Sequence, residues 1–69
     1  MDKIFKVICE VLNISEGEID VNTSRDYLEE WDSLAHIQII AELEEQMDIS
    51  IPFEEVAEIK EVKDFKKYI

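Results

Sequence analysis

Apolar residues recur at intervals of three and four along most of this chain, and no extended strand-type run of alternating apolar and polar residues interrupts them. The spacing predicts a first helix from about Asp2 to Leu12, with Ile4, Phe5, Ile8, Val11 and Leu12 on one face and Asp2 placed to cap it. A second helix is predicted from Ser33 to about Met47, capped by Asp32. Ile49 and Ile51 then pin the chain, and Pro52 suits the first position of a short third helix, Phe53 to Ile59. Val62, Phe65 and Ile69 mark a last helix that uses the chain to its end. A long connection, Asn13 to Asp32, joins the first two helices. Ser15 and Glu18 have the spacing of a capping box, and Thr23 or Ser24 suits the cap of a second turn carrying Tyr27, Leu28 and Trp31 inward. The expected fold is therefore all-α, a four-helix bundle with three main helices, a short third helix and a long first loop, in a single domain spanning residues 1–69.

The second helix holds more apolar residues than a core needs. At roughly 100° per residue, Ile39, Ile40, Leu43 and Met47 fall on one side and are expected to face inward. Leu34, Ile37 and Ala41 fall on nearly the opposite side, flanked by Gln38, Glu44 and Glu45. Two arrangements satisfy that second stripe. Either it packs beneath the long loop, or it stands exposed as a docking strip in which apolar contacts give affinity and carboxylates give orientation.

Charge narrows the partners. The 69 residues include 18 Asp and Glu against 7 Lys and Arg, for a formal net charge of −11. Such a surface repels nucleic-acid phosphates and anionic head groups and attracts proteins with basic patches. Hydrophobic residues make up 46% of the chain, too many for a disordered acidic tail. One Cys excludes an internal disulfide, and no Cys/His spacing suits zinc, so helix packing is expected to supply nearly all the stability. The stretch Met1 to Leu12 is too broken by charge for a signal peptide or a membrane span. The expected setting is the cytoplasm, as a monomer, with no bound metal, since no acidic segment has the spacing and central Gly of a helix-loop-helix calcium site.

Asp32-Ser33-Leu34 heads the two-striped helix. Ordinary capping explains an Asp and a Ser there, because their oxygens accept from the unpaired N–H groups of the first turn. The same N–H groups and the positive end of the helix dipole also suit a phosphate carried on the serine oxygen. A group attached to Ser33 would be presented beside the outer stripe.

The run from Trp31 to Pro52, WDSLAHIQIIAELEEQMDISIP, resembles the second helix of acyl carrier proteins. The resemblance extends over nearly the whole chain: Leu12-Asn13-Ile14 is similar to the end of that family's first helix, and Val62 to Ile69 to its last. It implies the carrier-protein version of the four-helix fold and a non-catalytic role. It implies that a holo-carrier-protein synthase, with magnesium, moves 4′-phosphopantetheine from coenzyme A onto Ser33, and that acyl groups then ride on the arm as thioesters. It further implies that Asp32 helps to present Ser33 and meets the synthase. Leu34, Ile37, Ala41, Glu44 and Glu45 would contact acyl-transferring or acyl-modifying enzymes of fatty acid or specialised acyl biosynthesis. Three features depart from the commonest family pattern: Trp31 where a small residue is common, Arg25 and Glu29 at loop positions that are often apolar, and Lys60-Glu61 where a capping Thr is frequent.

Other chemistry fits less well. Asp32, Ser33 and His36 resemble a compressed hydrolase triad, yet nucleophilic catalysis also needs a pocket and an oxyanion hole. His36 falls on the inward side, where it is expected to pack, or to act as a pH-sensitive latch, near the long loop. Cys9 lies beside the core stripe among acids that raise a thiol's pKa, so it is expected to be inert. Two alternatives to the acyl carrier remain open: an aminoacyl, peptidyl or D-alanyl carrier, and an unmodified acidic helical module that binds a basic partner.

Overall fold

The computed structural model of the protein describes residues 2–69, with side chains from Lys3 onward. Three α-helices form in chain order: α1 (Asp2–Leu12), α2 (Ser33–Met47) and α3 (Phe53–Val56). Three 3-10 segments accompany them, Glu16–Glu18, Arg25–Tyr27 and Val62–Tyr68. The fold is all-α; among the described residues the only β-type pairing is an isolated bridge between Ser24 and Glu61. No helix among the described residues is long and apolar enough to cross a membrane.

α1 has the expected bounds and packs against α2, the first 3-10 turn and the C-terminal 3-10 helix. Ile4, Ile8 and Leu12 are buried as expected, Phe5 and Val11 are half-buried, and Val7 and Cys9 join the core. The cap expected at Asp2 rests on a side chain outside the described ones. α2 sends Ala35, His36, Ile39, Ile40 and Leu43 into the core, with Met47 packed at its edge. Neither long helix ends on glycine. Asn13 and Asp48 take the left-handed conformation, with φ of 59° and 53°, which short polar side chains tolerate better than others do.

The long connection is built much as its polar residues suggest. Ser15 and Glu18 close on each other, the Ser15 N–H donating to Glu18 Oε2 at 2.8 Å. Ser24, rather than Thr23, caps the next turn by accepting from the Asp26 N–H. That turn does not carry Tyr27 inward, however; Tyr27 is 78% exposed. A three-residue period turns Leu28 and Trp31 to one side and leaves Tyr27 on the other. The loop is also stitched to the C-terminal segment. Arg25 N–H donates to the Lys60 carbonyl at 2.7 Å, Val62 N–H to Thr23 and Lys63 N–H to Val21.

The C-terminal third departs from the expected helices in the same manner. α3 stops at Val56, not Ile59, and the backbone continues in i→i+3 bonds, Glu58 to Glu55 and Ile59 to Val56, which rotate Ile59 into the core. Pro52 stands one residue before the first helical position rather than at it, and its carbonyl accepts from the Glu55 N–H at 2.9 Å. The last helix is 3-10, so Val62, Phe65 and Tyr68 share a side at three-residue spacing and Ile69 is left 53% exposed. It does not lack a cap. Asp64 reaches back and accepts from the N–H groups of both Lys60 and Glu61 at 3.0 Å. Those bonds hold its carboxyl below the usual range, the Lys60 bond being the largest cause.

Candidate functional site

The head of α2 is set by Asp32. Its backbone is extended, its Oδ1 accepts from the Ala35 N–H at 2.8 Å, and its carbonyl accepts from the His36 N–H at 2.9 Å. One carboxylate oxygen thus satisfies a donor of the first turn, and Ser33 stands as the first helical residue, exposed. Fifteen residues of α-helix align their peptide dipoles behind it, which leaves partial positive charge at the serine end.

The outer stripe of α2 is not covered by the loop. Leu34 is 69% exposed and Ile37 50%, and Ala41 is exposed beside them. Ala41 and Gln38 also line an open groove toward Val7 and Val11 of α1. The two flanking glutamates differ. Glu45 is exposed, whereas Glu44 is half-buried and its Oε2 accepts from the Ile51 N–H at 2.8 Å. Glu44 therefore anchors the turn after α2 as well as edging the stripe.

His36 is spent on structure. The Trp31 indole N–H donates to His36 Nδ1 at 2.9 Å, and Nε2 lies 2.9 Å from the Val56 carbonyl. A donor faces Nδ1, so Nδ1 accepts, Nε2 carries the proton, and the ring is neutral. Burial lowers its pKa, the nearby charge of Arg25 lowers it further, and the bond to Val56 opposes both. With both nitrogens engaged inward, the ring has none left to accept a proton from Ser33. The Asp32-Ser33-His36 triad is not assembled. Trp31 also stacks on Phe65 at 6.3 Å, which joins the helix head to the C-terminal segment.

Beside Ser33 an open groove of about 250 Å³ runs between the first turn of α2 and α3. Arg25, Ser33, His36, Ile37, Phe53, Val56 and Ala57 line it, His36 with both ring nitrogens engaged inward. The helical pattern gives no sign of this convergence, because four of these residues lie off α2: Arg25 in the loop, Phe53 and Val56 in α3, and Ala57 just past it. The sequence signal for it is Arg25 itself, a charge at a loop position that is often apolar in the family the chain resembles. A larger groove, about 620 Å³ and lined by Val21, Ile59, Lys63, Lys66 and Tyr68, does not include Ser33. Cys9 is buried on α1; burial, then the charges of Glu16 and Glu18, pushes its thiol pKa up.

The family model described as "Phosphopantetheine attachment site" matches residues 2–69. An acyl carrier protein of Brachyspira hyodysenteriae (strain ATCC 49526 / WA1) is 37% identical over 71 aligned positions, covering 100% of this chain and 90% of that protein.

Proposed function

Because the chain belongs to the acyl carrier protein family and carries a phosphopantetheine attachment site, we propose that Ser33 is the attached residue and that the protein delivers acyl groups to enzymes of fatty acid or specialised acyl biosynthesis. The bound arm supplies a terminal thiol that holds the acyl group as a thioester.

The residues fit such an arm. Ser33 presents an exposed hydroxyl at the head of a 15-residue helix, next to an open groove of about 250 Å³. Unpaired N–H groups of the first turn favour a phosphate there. Asp32 keeps that turn formed, so the hydroxyl is offered in one place to a holo-carrier-protein synthase. The protein itself is a substrate and not a catalyst in this reading, since His36 is turned inward and no other base stands in the groove.

The observation that carries the reading is the unburied outer stripe of α2, with Leu34, Ile37 and Ala41 exposed directly beyond Ser33. A core does not require it, and an enzyme reaching for a group on Ser33 would meet it first. Glu45, and Glu44 with its remaining oxygen, would orient a basic partner patch there. Tethering raises the effective concentration of the carried group at each partner's site.

The test is incubation with coenzyme A, magnesium and a broad-range synthase, followed by intact mass spectrometry. The wild type is expected to gain one arm and Ser33→Ala none. A wild type that gains nothing, or a Ser33→Ala variant that still gains an arm, contradicts the assignment.

A further inference from the structure

The groove beside Ser33 contains one positive charge. Arg25 is the sole arginine of the chain and its only Lys or Arg between Lys6 and Lys60, a stretch crowded with acids. It lines the same groove as Ser33, above the apolar side chains of Ile37, Phe53 and Val56. Among the described residues the ion pairs are Lys63 with Glu61 and Lys67 with Glu55; no carboxylate comes within pairing distance of Arg25.

That isolation is notable in a protein with 18 acids. Arg25 is half-buried as a residue and no carboxylate pairs with it, so its charge stays open to an anion in the groove. The backbone that carries it is fixed. Arg25 opens a 3-10 turn capped by Ser24, and its N–H is held by the Lys60 carbonyl at 2.7 Å. The guanidinium also sits near enough to the first turn of α2 for its charge to act on the His36 ring.

Resting on the carrier reading, we propose that Arg25 is a positioning residue for the arm, its guanidinium pairing with the phosphodiester at Ser33 and holding the root of the arm on the α3 side of the helix head. The planar fork of a guanidinium matches two phosphate oxygens, and a phosphodiester is the anion that loading places in this groove. Loading adds a negative charge to a chain already at −11, and Arg25 offsets it where it arises. A neutral residue at this position would leave the added charge unopposed and the arm free to swing.

The experiment compares unloaded and loaded forms of the wild type, Arg25→Gln and Arg25→Lys, with intact mass confirming one arm on each loaded sample. In the wild type the Arg25 Nε–Hε resonance is expected to move on loading, and the melting temperature to hold or rise. In Arg25→Gln the melting temperature is expected to fall on loading, with Arg25→Lys between the two. The same response to loading in Arg25→Gln as in the wild type, with an unmoved Nε–Hε resonance, overturns the assignment to Arg25 while leaving Ser33 loaded. Should Arg25→Gln fail to fold, the wild-type Nε–Hε resonance decides: movement on loading supports the pairing, and none overturns it. A wild type that takes no arm overturns the carrier reading and this inference together.

Discussion

Protonating His36 would set two donors face to face, because the Trp31 indole N–H already points at Nδ1. The buried ring therefore binds its second proton less readily than it does in the unfolded chain, where its pKa is near the ordinary 6.5. The sign follows from linkage: the stability contributed by the neutral ring is complete above about pH 6.5 and is lost as pH falls toward the lowered folded value. Gln at this position can also accept from an N–H and donate to a carbonyl, without titrating. The expected outcome is that the melting-temperature advantage of wild type over His36→Gln shrinks as pH drops from about 7.5 to about 5.5. An advantage that grows on acidification contradicts the neutral-ring assignment. At this scale the sequence displayed the inward side of His36, through helical spacing, but not the hydrogen bonds that fix its tautomer. Those depend on Trp31 and Val56, which only the folded chain brings to it. Tyr27 was misread for a related reason, since the period of an irregular loop is not the period of a helix.

The elements divide by how their backbones turn. α1 and α2 are long enough for a 3.6-residue period to register in the pattern of apolar positions, and their bounds were legible. The inner and outer sides of α2 were legible too, because 15 residues give four turns over which two stripes separate. After α3 the chain tightens to three residues per turn, and spacings of three and four no longer name the same face. Hence Tyr68 turns toward the fold in place of Ile69, with its hydroxyl donating to Glu55. That bond raises the Tyr68 pKa to about 12. The cap of this last helix is hard to see in the sequence because it acts backward: the carboxylate is Asp64, inside the first turn, and not a residue before it. Asp64→Ala is expected to cost about 1 kcal/mol, the usual worth of a cap, and to lower the melting temperature by about 4–8 °C in a domain of this size. A thermal melt of the variant checks it, and an unchanged midpoint would show that the two backbone N–H groups find other partners.

Across the whole molecule the charges are sorted as well as unbalanced. Lys60, Lys63, Lys66 and Lys67 are four of the seven basic residues, while α2 carries three glutamates and no Lys or Arg. The charges of α2 are thus of one sign, which suits the proposed encounter with basic partners but adds self-repulsion. Exposed ion pairs such as Lys63–Glu61 return little against it, about 1 kcal/mol or less. Raising monovalent salt from about 0.01 M to about 0.15 M shortens the screening length from about 30 Å to about 8 Å and is expected to raise the melting temperature; a flat or falling midpoint contradicts net repulsion. The net charge was plain from composition, whereas the placement of Arg25 opposite Ser33 needed the loop to be stitched to residues 60–63. What the sorted charge, the uncovered stripe and the groove have in common is their convergence on one hydroxyl. The most direct check is fragment mass spectrometry of the protein isolated from its own cells. A 4′-phosphopantetheinyl group is expected on the peptide containing Ser33, localised to that serine; a protein found wholly unmodified there, or modified at another residue, would contradict the assignment.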